Sequence, residues 1–129
     1  MGQAPRKADT APVSNVADMT TILTEVELKD GAEREWDAIM AARMKEAKKR
    51  SGWVGAQVLA SEEDHKKRVI VGTWKSRADW EEWHQDPLFE ETRRQLDALV
   101  NGAERHGWYE VLLDVRKSRT AASSTRSRT

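Results

Sequence analysis

The sequence contains no cysteine. Disulfides, thiolate metal sites and a cysteine nucleophile are therefore excluded for this chain, and the absence fits the reducing cytoplasm, where we expect the protein. No apolar run approaches the roughly 20 residues of a membrane-spanning helix. No apolar segment follows Arg6 and Lys7 to complete a secretory signal. We therefore expect no association with a membrane.

An excess of charge of one sign is also missing, because 22 Lys and Arg residues balance 22 Asp and Glu residues. Such a chain has no global charge that would attract nucleic acid. The sequence lacks a P-loop, a G-x-G-x-x-G run and the order of a Ser-His-Asp triad, which argues against nucleotide-binding and hydrolase functions. Its three histidines are scattered without metal-ligand spacing, so we expect no metal site built by the protein.

What is present is enough for one domain with a modest core, flanked by two polar segments. The chain has 129 residues, 38% of them apolar, and six tryptophans add large apolar surfaces. Residues 1–19 show no periodicity and predict a disordered leader. Residues 116–129 carry five basic and no acidic residues among Ser and Thr, and predict a disordered basic tail. The folded domain is expected over residues 20–115.

Alternation of apolar and polar residues predicts four β-strands. In the first of them, Ile22, Thr24 and Val26 share one side, while Glu25 lies on the other. The predicted strands are Thr20–Leu28, Trp53–Ala60, Arg68–Trp74 and His106–Val115.

Apolar residues at helical spacing predict three helices between these strands. The predicted helices run from about Ala32 to Lys49, from the capping residue Ser76 to about His84, and from Asp86-Pro87 to Asn101-Gly102. The order β-α-β-β-α-α-β is the ferredoxin-like split βαβ arrangement. We therefore predict an α+β fold with a four-stranded antiparallel sheet and helices on one face.

Two of the predicted strands have apolar residues on both sides. The third strand places Val69 and Val71 opposite Ile70. The fourth strand places Leu113 opposite Leu112. A sheet with one face in water alternates more cleanly. Since the chain is too short to build a second layer, we expect a homodimer in which two sheets meet face to face.

The segment Gly72–Leu96 has a recognisable pattern. A strand ends in Trp74, a short helix carries Trp83 and His84, and a polar turn with a proline leads into a longer helix. This pattern resembles the signature region of antibiotic biosynthesis monooxygenase domains. The opening and closing strands also look like those of the family, so the resemblance extends over residues 20–115.

The resemblance implies a dimeric α/β barrel that oxidises a phenol, quinol or polyketide-like aromatic with O2, without flavin, haem or metal. The substrate then loses a proton and supplies the electrons itself. His84 and Trp83 are the candidate catalytic residues, because imidazole titrates near neutrality and indole offers a stacking wall and one N–H donor. The candidate substrate-binding residues are Thr24, Trp74, Thr92 and Arg93.

Several of these side chains also have a purely structural interpretation. Trp80 and Trp108 are expected to pack in the core. The hydroxyls of Thr24 and Thr92 are equally compatible with buried groups whose hydrogen bonds are satisfied. Arg93 is compatible with a simple surface charge.

Two other functions stay open. A second branch of the same superfamily degrades haem with an Asn, a Trp and an iron-binding His. Trp83 matches that Trp, and Thr24 takes the place of the Asn. The position of the His falls on Thr92 or Arg93, which cannot replace an imidazole, so haem binding would require His84 instead. The other possibility is a non-catalytic dimeric module that binds a small aromatic molecule.

Overall fold

The computed structural model describes residues 19–117. Its elements are β1 (Thr20–Leu28), α1 (Glu33–Ala47), β2 (Trp53–Ala60), β3 (Lys67–Trp74), α2 (Arg77–His84), α3 (Pro87–Asp97) and β4 (Val100–Glu110). The predicted leader up to residue 18 and the predicted tail from residue 118 lie outside the described residues. Within the described range, no helix has both the length and the apolar character needed to cross a membrane.

The four strands form one antiparallel sheet in the order β2-β3-β1-β4. At the centre of the sheet, Thr24 of β1 lies between Ile70 of β3 and His106 of β4. Because successive side chains of a strand point to opposite faces, Leu23 lies on the other side. This order and direction confirm the predicted ferredoxin-like α+β fold.

Two clusters of buried side chains hold the helices on one face of the sheet. The first joins Val26 and Leu28 of β1 to Trp36 and Met40 of α1 and to Leu96 of α3. The second cluster contains five other buried residues: Ile22, Ala47, Trp74, Trp83 and Phe89. Since the β1 members of both clusters alternate with exposed or half-buried residues, the helices cover a single face.

The two shorter helices begin at the capping residues that the sequence predicts. The Ser76 hydroxyl accepts a hydrogen bond from the backbone N–H of Asp79 at 3.2 Å. The Asp86 carboxylate accepts one from the backbone N–H of Leu88 at 2.8 Å. Each bond satisfies a donor that the first turn of a helix leaves unpaired. Asp86 also pairs with Arg50 at 2.8 Å, which ties the segment after α1 to the start of α3.

The last strand is confirmed as part of the sheet, but its predicted bounds are wrong. The strand β4 covers Val100–Glu110 rather than His106–Val115. Leu112 and Leu113, whose alternation suggested apolar residues on both sides of this strand, lie beyond its end and are 80% and 75% exposed. That part of the argument for a covered outer face is therefore also wrong.

The start of β4 differs because Asn101-Gly102, the predicted end of the third helix, lies inside the strand, where a bulge falls between Asn101 and Arg105. The pairing partners shift from Arg105 opposite Glu25 to Asn101 opposite Glu27, so that two residue steps in β1 match four in β4. Gly102 has a φ of 73°, which favours glycine and fits a strand bulge. An Asn-Gly pair that resembles a helix stop in the sequence is therefore a strand irregularity.

The sheet face that points away from the helices has an apolar centre. Leu23 of β1 lies opposite Val71 of β3 on this face. Leu59 of β2 and Tyr109 of β4 extend it to both sides and are 46% and 55% exposed. The two-sided apolar pattern predicted for β3 is therefore confirmed, and no described residue forms a second layer over this face.

Candidate active site

A cavity of about 420 Å³ lies between the sheet and the helices. All seven elements contribute to its lining, and its size is that of a small-molecule site. Five of the six tryptophans line it: Trp53, Trp74, Trp80, Trp83 and Trp108. The wall is thus mainly aromatic and apolar, with a few polar side chains placed in it.

His84, the last residue of α2, is half-buried in this wall between two aromatic rings. The imidazole centroid lies 3.5 Å from the nearest Trp80 ring centroid and 3.9 Å from that of Phe89. Its Nδ1 lies 3.0 Å from the Trp80 carbonyl oxygen. Because a carbonyl only accepts, Nδ1 carries the proton of the neutral ring and Nε2 keeps a free lone pair.

Burial lowers the pKa of His84 to about 4, and it outweighs the opposing effect of the hydrogen bond to the Trp80 carbonyl. The positive charges of Arg43, His106 and Arg93 add to the lowering. At neutral pH the ring is therefore uncharged and can accept a proton at Nε2. This is the state that a general base requires before reaction.

Arg43 of α1 is a cation built into the same wall. Its Nε donates to the Thr92 hydroxyl at 2.9 Å, and its Nη2 donates to the Phe89 carbonyl at 3.4 Å. Its guanidinium carbon lies 3.9 Å from the centre of the Phe89 ring. Burial lowers the pKa of Arg43 to about 10, so the side chain stays positive at neutral pH.

Sequence reasoning did not select Arg43 as a site residue. It lies on the apolar stripe of α1, three residues after Met40 and four before Ala47, and all three line the cavity. A lone cation on a buried helical stripe requires a partner or a ligand. This cation within the apolar stripe of α1 was the signal in the sequence that pointed to Arg43.

Five of the six predicted site residues line this one cavity: Thr24, Trp74, Trp83, His84 and Arg93. Trp74 and Trp83 are 4% and 5% exposed and also belong to the second core cluster. Thr24 is half-buried in the middle of β1. The structure therefore brings these residues together, and their contact with a substrate stays a prediction.

Thr92 is not part of the lining. Its hydroxyl accepts the hydrogen bond from Arg43 and donates to the Phe89 carbonyl at 2.9 Å. No hydrogen bond among the described residues joins Thr92 to Thr24, the other threonine among the candidate residues. Thr92 instead fixes the position of a cation that does line the cavity.

The remaining charged groups of the lining occur mostly in pairs. Arg77 lies 3.7 Å over the Trp108 ring and 3.6 Å from Glu81. His106 Nε2 lies 3.1 Å from Glu104. Between residues 19 and 117, no group of three or more His, Asp or Glu residues is placed to hold a metal ion.

Comparison with known proteins gives one family and several structures. A sequence model of the family described as "Antibiotic biosynthesis monooxygenase" matches residues 19–95, which is more than half of the chain. A search of curated protein sequences gave no match.

Two of the solved structures that match illustrate the likeness. SnoaB from Streptomyces nogalater, described as a cofactor-independent oxygenase, is 18% identical, with a TM-score of 0.69 over 78% of this chain and 99% of its own. A conserved protein from Methanosarcina mazei Go1 is 14% identical, with a TM-score of 0.71 over 74% of this chain and 95% of its own. At these identities the likeness establishes the fold alone.

Proposed function

Because the chain belongs to the antibiotic biosynthesis monooxygenase family, we propose that it is a cofactor-independent monooxygenase that oxidises a small phenolic or quinol-type aromatic with O2. The observation that carries this proposal is the placement of His84, with Nδ1 on the Trp80 carbonyl and Nε2 free, in a cavity walled by tryptophans. The description of SnoaB as a cofactor-independent oxygenase supports it. A cytoplasmic location is part of the proposal.

The first step is transfer of the phenolic proton to His84 Nε2. Inside the cavity, away from bulk water, the resulting imidazolium and phenolate attract each other more strongly than they would in water. Trp74 and Trp83 flank the aromatic ring and exclude water. Thr24 and Arg93 contact its polar substituents. The phenolate is then electron-rich enough to react with O2 without a cofactor.

The atoms and electrons balance for a phenol with an unsubstituted para carbon. One oxygen atom forms the new carbon–oxygen bond and ends as a carbonyl. The hydroxyl hydrogen and one ring hydrogen leave with the second oxygen atom as water. The substrate supplies all four electrons that reduce O2, so the reaction yields a quinone and one water without an external reductant.

Oxygen uptake tests this function. The purified protein is mixed with a panel of naphthols, anthrones and quinols, and consumption of O2 is followed with an electrode. At least one compound is expected to consume one O2 per molecule and to carry one atom of ¹⁸O from labelled O2 into the product. Uptake no faster than the uncatalysed reaction for every compound would contradict the proposal.

We also propose that the protein acts as a homodimer. The apolar sheet face around Leu23, Val71, Leu59 and Tyr109 supports this, because a contiguous exposed apolar patch marks an interaction surface. Packing of two such faces against each other produces the barrel that the family resemblance implies.

The dimer is tested by analytical ultracentrifugation at micromolar concentration. The wild type is expected at twice the chain mass of 14.7 kDa. Val71→Glu places a charge in the centre of the proposed interface and is expected to give monomers, because a buried unpaired charge is costly. Val58→Glu is the matched control, since Val58 lies on the opposite face of the sheet and is 39% exposed. A monomeric wild type would show the dimer proposal to be wrong.

A further inference from the structure

Arg43 is a half-buried cation without an acidic partner among the described residues. Among residues 19–117, no carboxylate oxygen lies within 4.0 Å of its guanidinium nitrogens, the distance of an ion pair. It donates hydrogen bonds to the Thr92 hydroxyl and the Phe89 carbonyl and lies over the Phe89 ring, and all three groups are uncharged. Burying a charge without a counter-ion is unfavourable, so such a group is retained where a ligand completes it.

The other arginines of the cavity differ in this respect. Arg77 pairs with Glu81 at 3.6 Å, and Arg93 pairs with Glu90 at 3.5 Å. Both are more than half exposed. They therefore resemble ordinary surface charges, whereas Arg43 is half-buried and donates hydrogen bonds to Thr92 and Phe89.

The acidic groups nearest to Arg43 are engaged elsewhere or lie in solvent. Glu104 contacts His106 at 3.1 Å, and Glu90 contacts Arg93. Asp97 also lines the cavity but is exposed, and its charge acts on Arg43 only from a distance. None of the three neutralises the guanidinium by direct contact, so an anion that pairs with it would have to come from outside the described residues.

We propose that Arg43 anchors the substrate by binding a carboxylate on its aromatic ring. A guanidinium matches the two oxygens of a carboxylate with parallel hydrogen bonds, and Thr92 and Phe89 already fix its orientation. His84 packs on the same Phe89 ring as Arg43. In the proposed complex, an aromatic acid with its hydroxyl next to the carboxylate places the carboxylate at Arg43 and the hydroxyl at His84.

This assignment rests on the proposed function for the role of His84, but the anchoring itself is measurable without turnover. The probes are 1-hydroxy-2-naphthoate and its neutral amide, 1-hydroxy-2-naphthamide, which have the same shape. Binding of each is measured by isothermal titration calorimetry in the absence of oxygen. The acid is expected to bind the wild type about 10- to 100-fold more tightly than the amide, the range for a charge-assisted contact.

Substitutions assign that preference to one side chain. Arg43→Met is expected to weaken binding of the acid by about 10- to 100-fold and to change binding of the amide by less than about threefold. The amide thus reports whether the cavity is still folded. Arg77→Met is the matched control, because Arg77 lines the same cavity but already has the Glu81 carboxylate 3.6 Å away, and it is expected to leave the preference for the acid intact.

Equal affinity of the wild type for acid and amide would overturn the assignment, and so would a failure of both compounds to bind. These results do not depend on whether Arg43→Met folds. A preference for the acid that survives in Arg43→Lys and disappears in Arg43→Met supports a requirement for charge at this position. If the preference is found but no compound consumes O2, the anchor stands and the monooxygenase proposal fails. If O2 is consumed but acid and amide bind equally, the monooxygenase proposal stands and the anchor fails.

Discussion

Replacement of Trp36 by alanine is expected to lower the free energy of unfolding by about 3–5 kcal/mol, the cost of removing a large buried aromatic. Trp36 is 1% exposed and packs against Val26, Leu28, Met40 and Leu96. It is therefore the side chain that joins β1, α1 and α3. Because small domains have net stabilities of about 5–15 kcal/mol, this single change removes a large part of the total.

Urea unfolding followed by circular dichroism measures this effect. All variants are compared at one protein concentration, because the proposed dimerisation would make apparent stability depend on concentration. Leu88→Ala serves as the control, since Leu88 lies on α3 and is 45% exposed. We expect it to change the free energy of unfolding by less than about 0.5 kcal/mol. A loss for Trp36→Ala as small as that of the control would show that this cluster does not hold the domain together.

Most of the fold follows from the sequence because its elements have clear periods. The bounds of β1 and β2 agree with the predicted Thr20–Leu28 and Trp53–Ala60, and β3 begins one residue earlier than predicted, at Lys67. Polar caps mark the starts of α2 and α3 in the chain itself. Such local signals depend on residues within one turn, so they survive without knowledge of the packing.

The prediction of where β4 starts failed for a physical reason. Asn101-Gly102 is a common end of a helix, and the same pair also suits a bulge that needs a positive φ. Only the pairing with β1 decides between the two, because the shift in register opposite Glu25 and Glu27 leaves two extra residues in β4. Pairing between strands far apart in sequence is not visible in a local pattern.

The site was predicted only in part. His84 and Trp83 stand out in one short segment, and both line the cavity. The sequence predicts Trp80 and Trp108 as core residues, yet they also line the cavity, with their ring centroids 4.4 Å apart. A stripe of apolar residues indicates the side of an element that packs inward, but not where the packing leaves a gap. The position of Arg43 beside Phe89 depends on that gap, so sequence reasoning gave it no role.

Replacement of His84 by glutamine is expected to lower kcat/KM for the phenolic substrate by about 10²- to 10⁴-fold, the usual contribution of a general base. Glutamine can still donate a hydrogen bond to the Trp80 carbonyl and fill space between Trp80 and Phe89. It cannot accept a proton. The loss therefore reports the base rather than the packing, and an unchanged melting temperature checks that the fold is retained.

The pH dependence gives this prediction a second measurement. Since the pKa of free His84 is lowered to about 4, the ring is already unprotonated at pH 6. The kcat/KM of the wild type is expected not to change with pH near neutrality and to fall as the pH approaches 4. A histidine that titrated at its ordinary value would place this fall near pH 6.5.

The lowered pKa of His84 also makes the stability of the folded protein depend on pH. Between about pH 4 and 6.5, unfolded His84 binds more protons than folded His84, so the free energy of unfolding rises with pH through this window. Above the window this gain is complete. Lowering the pH therefore destabilises the wild type more than His84→Gln. Melting temperatures measured across the window separate this loss of folding from loss of the base.

His106→Gln is the control for both measurements. His106 lines the same cavity, but it is exposed and lies 3.1 Å from Glu104. Its replacement is expected to change kcat/KM by less than about tenfold, because a surface group contributes little to proton transfer inside the cavity. If His106→Gln abolishes turnover while His84→Gln retains it, the proton acceptor is His106, and the buried, uncharged ring at the end of α2 serves only to pack Trp80 against Phe89.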